Sequence, residues 1–424
     1  MRRYWLAILI IMLHFQFFSL GPDFPVTLAS VGALVLSIGL FRMPSKPIAF
    51  EASIILSCLL ALPLLAGVLA QSTPFYGFSS SHFLRTYALW SYASICSVLG
   101  IFGEPRHGSR EWFRGGLRGA LAAISILAIG QFIAGSLGTS ALYNIWGKHQ
   151  YLYEYAPNLQ FGLARSEAFY LEPAYAGMVI AVLMLSLAAL QALRWPLGLA
   201  ALVGLATTQS PTAFAVAGAG IGVLRWRKHI VKAALRRIPA PVTLGGIGLL
   251  AVLGPYLLRR LSTLAVPGSS AYYRVIAPLS VLGHVLSTAP LGAPLGSVQR
   301  AIGGADLLNG STYGTSLDNG VYLLIFYSGW VGIIVLLLLL TYMAGVRGVH
   351  GIFLVALAAA LLFVTGGILL PEFSVLILVL LYSMRIGGVG REPRASVVIH
   401  NNNSFPRLAR IGPNSQQFSG DLQQ

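Results

Sequence analysis

Residues 196–224 read PLGLAALVGLATTQSPTAFAVAGAGIGVL, and whether they form one helix or two decides the architecture. A single helix would carry the chain across a bilayer once; two short ones, hinged at Gln209-Ser210-Pro211, would carry it across and back. The basic run that follows (Arg225, Arg227, Lys228, Lys232, Arg236, Arg237) decides between them. Two helices return it to the cytoplasmic side, where basic loops concentrate; one helix would strand it outside. Two short helices are expected.

Working outward, 56% of the 424 residues are hydrophobic, only 9% are charged, and mean hydropathy is +0.76. About 20 apolar residues cross a hydrocarbon core as helix, and helices satisfy their own backbone in lipid. Spans are expected near 4–20, 24–41, 48–70, 83–102, 117–137, 174–193, 196–208, 211–224, 242–258, 320–343, 351–370 and 373–384. The fold class is an all-α polytopic membrane protein with about 12 transmembrane helices and two large periplasmic loops, near 138–173 and 259–319. Alternating segments of the kind a transmembrane barrel needs do not occur. The apolar run Tyr4–Leu20 follows Arg2 and Arg3 but ends in Gly21-Pro22-Asp23, which is no small-x-small cleavage site, so it reads as a retained helix. Cys58 and Cys96 both fall inside spans, which argues against a disulfide or a cysteine metal site.

The formal net charge of +16 could suggest nucleic acid. With both termini cytoplasmic, however, 21 of the 28 Lys and Arg residues lie inside and seven outside, whereas seven of the twelve acids lie outside. The charge therefore encodes orientation, and no nucleic-acid partner is expected. Residues 1–390 form the membrane domain; 391–424, polar and rich in Asn and Gln, read as a disordered cytoplasmic tail. No nucleotide-binding motif and no metal-spaced histidine cluster is present, so neither cofactor nor metal is expected.

The chemistry is sought in Arg165-Ser166-Glu167-Ala168-Phe169-Tyr170-Leu171-Glu172-Pro173, three charges at the mouth of an apolar run. Ionisable groups at such places usually face a functional cavity. Arg165 and Arg274 each stand in a long outer loop beside aromatics (Tyr170; Tyr272 and Tyr273). A guanidinium offers a fork for phosphate, and aromatic faces suit sugar rings or lipid headgroups; binding of anionic headgroups, or pairing with Glu167 and Glu172, is the competing explanation. Glu172, Asp318 and Glu372 each stand at the outer start of a helix. Asp318-Asn319 has a ready structural role as a helix cap, whereas Glu is a poor cap, which leaves Glu172 the better base for a hydroxyl proton. The stretch Val275–Leu286 reads as an interfacial or re-entrant helix.

Four elements taken in order carry a resemblance: Arg165 to Glu172-Pro173; Gly268-Ser269-Ser270-Ala271-Tyr272-Tyr273-Arg274; Ser316-Leu317-Asp318-Asn319-Gly320-Val321-Tyr322-Leu323-Leu324; and Thr365-Gly366-Gly367 to Pro371-Glu372. Together they resemble the Wzy-type polysaccharide polymerases, nearest the colanic acid branch and more loosely the xanthan-type exopolysaccharide enzymes, over roughly residues 160–384. The arginine-to-glycine spacing of that group is met neither by Arg165, whose next glycine is Gly177, nor by Arg274, followed by Gly283. Asp318-Asn319 stands where the related O-antigen ligases carry His-Asn.

The resemblance implies glycosyl transfer at the periplasmic face of the bacterial inner membrane. Donor and acceptor would be glycans on undecaprenyl pyrophosphate, with membrane lipids, a flippase and chain-length or export proteins as partners. Arg165 and Arg274 would offset diphosphate charge. Glu172, then Asp318, would take the acceptor proton. Tyr170, Tyr272, Tyr273, Asn319 and Glu372 would help bind substrate. The rival readings are a lipid-linked oligosaccharide flippase or transporter, which should show two-half symmetry and polar residues at midplane, and an O-antigen ligase.

Overall fold

The computed structural model describes residues 19–21, 24–42, 46–70, 79–106, 110–139, 159–160, 163–170, 173–226, 276–298, 300–301, 319–334, 337–338 and 371–386, with isolated positions 142, 244, 248, 262, 266 and 272. The expected spans at 4–20, 242–258 and 351–370 lie wholly or almost wholly outside these residues. What is described is mostly helical: α1 (Leu28–Leu40), α2 (Lys46–Ala70), α3 (Ser80–Phe102), α4 (Arg110–Ser136), α5 (Pro173–Ala189), α6 (Trp195–Thr207), α7 (Pro211–Trp226), α8 (Ala277–Thr288), α9 (Gly320–Ile334) and α10 (Pro371–Ile386). Of these, α2 and α4 contain apolar stretches long enough to cross a membrane unaided.

The centre of the bundle is α5. Its sequence is apolar on every side, as a helix buried all round must be, and all of its residues but Ala174 are buried. Helices α4, α6, α7 and α10 pack around it. Gly177 makes the closest approach: a Cβ there would lie 2.6 Å from Cβ of Ala213 on α7 and 2.7 Å from Oγ1 of Thr208. Small residues let helices draw this close where lipid supplies no hydrophobic drive. The glycine that fails the family spacing thus has a packing reason to be there.

Residues 196–224 form two helices. Thr208, Gln209 and Ser210 separate α6 from α7, with Gln209 at φ 49°. Pro211 takes the first position of α7, and Ser210 caps it, its Oγ accepting from the backbone N–H of Ala213 at 3.3 Å.

Two boundaries differ from expectation. Helix α4 begins at Arg110, ahead of the expected 117, because its arginines have partners. Arg114 donates to the Leu190 carbonyl at 2.8 Å and Arg118 to that of Ala192 at 2.9 Å. The two guanidiniums close the C-terminal end of α5, where cations oppose the negative end of the helix dipole. Residues 24–27, expected to open a span, instead form β2 (Phe24–Thr27), antiparallel to β1 (Ser19–Gly21). Pro25 steers Phe24 towards extended backbone.

Strand β3 (Phe41–Arg42) pairs with β4 (Glu104–Pro105), tying the ends of α1 and α3 together. The phenol of Tyr382 on α10 donates to the Arg106 carbonyl at 2.6 Å, and its ring meets Phe41 and Phe113 edge-on. Both cysteines are free. A second apolar cluster joins Phe83 and Trp90 of α3 with Val281, Leu282 and Val285 of α8 and Leu323, Phe326 and Tyr327 of α9. The expected re-entrant segment is thus a helix packed against others.

Candidate active site

A short hairpin leads into the charged segment: β5 (Leu159–Gln160) pairs with β6 (Leu163–Ala164), Leu159 opposite Ala164. Beyond it the chain dives into the end of the bundle, leaving Arg165 9% and Glu167 3% exposed. Buried polar groups need partners, and this segment finds them in the hinge between α6 and α7. Arg165 donates from Nε to the Thr208 carbonyl at 3.3 Å, and Ser166 donates its N–H to the Thr207 carbonyl at 3.0 Å. These are carbonyls at the C-terminal end of α6, where a helix has acceptors to spare and a cation is favoured. Ser166 also donates through Oγ to the Ala128 carbonyl of α4 at 2.6 Å.

The next residues turn sharply. Ala168 sits at φ 52°, a left-handed conformation costing an L-residue roughly 1–2 kcal/mol. The N–H of Tyr170 closes the turn on the Glu167 carbonyl at 2.9 Å. Gln131 of α4 holds this turn from below. Its Oε1 accepts from the N–H groups of Glu167 (3.0 Å) and Ala168 (2.7 Å), while its Nε2 donates to the carbonyls of Ala168 (2.8 Å) and Leu142 (3.0 Å). The ring of Tyr170 lies 5.4 Å from that of Tyr175, edge to face, and its burial pushes the phenol pKa well above the ordinary value.

Of the residues expected to act, Arg165 and Tyr170 are brought into one buried polar cluster with Ser166, Glu167, Gln131 and the hinge threonines. Asn319 is the N-cap of α9, its Oδ1 accepting from the N–H groups of Val321 (3.1 Å) and Tyr322 (3.3 Å). The cap expected of Asp318-Asn319 therefore falls to the asparagine. Tyr272 is half-buried, its carbonyl accepting from the Ile276 N–H at 2.8 Å ahead of α8. Glu372 occupies the first turn of α10. Glu172, Arg274, Tyr273 and Asp318 lie outside the described residues. Gln131 went unnoticed in the sequence, although a glutamine flanked by Gly130 and Phe132 inside an apolar run is the kind of intramembrane polar residue that marks a site. Among the described residues no cluster of His, Cys, Asp and Glu could hold a metal ion.

Helix α9 is opened by the segment 290–293 that follows α8. The Phe326 carbonyl accepts from the Ala293 N–H at 2.8 Å, and the Trp330 N–H donates to the Pro290 carbonyl at 2.9 Å. Gly292 (φ 99°) and Gly329 (φ 55°) make this crossing, and a side chain on either would strike the opposite backbone. Within a hydrocarbon core, irregular backbone of this kind is tolerated only where protein buries it or a cavity borders it.

The family model described as WcaD colanic acid polymerase matches residues 2–386. The chain belongs to that family. A curated protein of Escherichia coli (strain K12), named "Putative colanic acid polymerase", is 26% identical over 403 residues, covering 88% of this chain and 94% of its own length. No solved structure matches the chain. The likeness to colanic acid polymerases thus reaches well beyond residues 160–384, to the first helices. Membership of the WcaD family makes this a glycosyl-transferring polysaccharide polymerase acting on lipid-linked oligosaccharides, and together with its apolar helices makes it a membrane protein.

Proposed function

We propose that this chain joins undecaprenyl-pyrophosphate-linked oligosaccharide repeat units into an exopolysaccharide at the periplasmic face of the bacterial inner membrane. The observation that carries the reading is the burial of Arg165 and Glu167 in a polar cluster at one end of an otherwise apolar bundle. Charges are not kept in such a place for solubility.

In the transfer, the bond between the donor sugar's anomeric carbon and the diphosphate oxygen breaks. The electron pair leaves with the lipid diphosphate. The acceptor hydroxyl oxygen bonds to the anomeric carbon and gives its proton to a carboxylate. Cations must meet the charge that develops on the leaving group; Arg165 and Arg274 take that role. Arg165 is oriented for it by the Thr208 carbonyl, which fixes its Nε. Glu172 is the first choice for the proton acceptor and Asp318 the second, with Tyr272, Tyr273 and Glu372 lining the approach of the sugars; Tyr170 and Asn319, both buried, act instead by shaping the turn and capping α9. A flippase and chain-length or export proteins are the expected partners. The energy of the new linkage comes from the diphosphate bond, so no nucleotide sugar is required.

Purified protein incubated with lipid-linked repeat units should produce a ladder of lipid-linked oligomers at the expense of the monomer. A protein that moves the lipid across vesicles without lengthening its glycan is a flippase, and the proposal is then wrong.

A further inference from the structure

Gln131 stands where three parts of the chain meet: the C-terminal turns of α4, the residue Leu142 at the base of the long loop, and the Glu167–Ala168 turn. A primary amide has two donor hydrogens and two acceptor lone pairs, and the four bonds of Gln131 to Glu167, Ala168 and Leu142 use all of them. A buried side chain with every polar capacity committed to backbone has none left for a substrate, so direct binding is excluded. What it grips is the left-handed turn at Ala168, between the buried charges of Arg165 and Glu167 and the approach to Glu172.

We infer that Gln131 is the positioning residue of the reaction centre: its amide clamp fixes the backbone at Glu167 and Ala168 and so the direction in which Arg165 and Glu167 are presented. As a role in glycosyl transfer this rests on the polymerase reading above. As a statement about what holds the segment closed it does not.

Gln131→Glu keeps the shape of the side chain and makes the clamp titratable. Protonated, the carboxyl still accepts from the two N–H groups and donates to one carbonyl. Ionised, it turns a negative oxygen towards the Ala168 and Leu142 carbonyls and the clamp opens. The clamp therefore holds at low pH, where the carboxyl is protonated, and fails as it ionises with rising pH. Two readouts follow this on purified full-length protein: polymerisation of lipid-linked repeat units, and tryptic cleavage after Arg165 measured by mass spectrometry.

Between about pH 5.5 and about pH 8.5, polymerisation by Gln131→Glu relative to wild type should fall by about tenfold or more while cleavage after Arg165 rises by a similar factor. Gln131→Asn, an amide one methylene shorter, should lower kcat at every pH without the pH dependence and with KM for the lipid-linked substrate little changed. A flat ratio with Arg165 still protected overturns the inference, and so does a segment that opens without loss of polymerisation. Should Gln131→Glu fail to accumulate, a wild-type kcat in Gln131→Asn overturns it equally. Arg165→Ala, run alongside, separates the two layers. Wild-type activity in that variant sinks the functional reading of the segment, whereas an inactive Arg165→Ala beside a wild-type-like Gln131→Glu sinks only the role of Gln131.

Discussion

Trp90 donates its indole N–H to the carbonyl of Leu59 at 2.7 Å, and Leu59 is the residue whose carbonyl Pro63 leaves without an intrahelical donor. Pro63 lies inside α2 and has no N–H to return to the position four residues earlier. The next carbonyl, that of Leu60, accepts from the Tyr87 hydroxyl at 3.2 Å. Only 22% of the apolar stretch of α2 is buried in the protein, so a bare carbonyl there would meet lipid, where nothing could hydrogen-bond it. Two side chains of α3 thus complete the backbone of α2.

Trp90→Phe should lower stability by about 1–2 kcal/mol through the orphaned carbonyl. In a Pro63→Ala background the cost should shrink, because the substituted residue supplies the missing N–H. Unfolding in detergent of the two single variants and the double variant measures the coupling; additive losses would show that the indole matters only for packing.

Gly177→Ala should cost about 1–3 kcal/mol by overpacking, since its Cβ would press on Ala213 and Thr208. Thr208 also holds Arg165, so polymerisation should fall further than stability does. Comparing product ladders at equal amounts of folded protein checks this.

Burial keeps the Tyr170 phenol neutral in the folded protein, its pKa raised far above the ordinary value. A raised folded pKa leaves the stabilisation fully present below the unfolded value of about 10. Above that pH it is lost at about 1.4 kcal/mol per unit for this one proton. Tyr170→Phe should flatten the alkaline limb of the stability profile by that slope; superimposable curves for the variant and wild type would speak against it.

Arg165→Ala and Arg274→Ala should each abolish polymer while the protein stays inserted in the membrane. Arg165→Lys should also be poor, since an ammonium lacks the planar fork. Glu172→Gln should reduce turnover by about a hundredfold or more, the usual scale for a general base. Retained chain lengths in the arginine variants would remove the diphosphate role, and a fully active Glu172→Gln would remove the base.

A reporter fused after Lys148 should be active outside the cytoplasmic membrane and one fused after Lys232 inside it. The opposite pattern would invert the topology and, with it, the face on which the reaction is placed.

Much of the bundle could be read from residue pattern, and the exceptions share a cause. The apolar run 174–193 marked α5 as a span, though not as the central one, and Gln209-Ser210-Pro211 marked the break after α6. The start of α4 was set too late because Arg110 and Arg114 look like loop residues until the Leu190 carbonyl that Arg114 bonds, just past α5, is known. The break in α9 and the Trp90–Leu59 bond depend on partners far away in sequence, which no local pattern encodes. The same holds at the site. Arg165 stood out as a charge in an apolar chain, but the hinge carbonyls that hold it and the amide of Gln131 became meaningful only once the helices were stacked.

The Gln131 amide joins the carbonyls at positions 142 and 168, so the turn at Ala168 is held from α4 by bonds that residues 143–158 do not supply. On the proposed function, inheritance of the Arg165 segment is then separable from inheritance of the loop that precedes it, and a chimera exchanging residues 143–158 should leave the Ala168 turn in place.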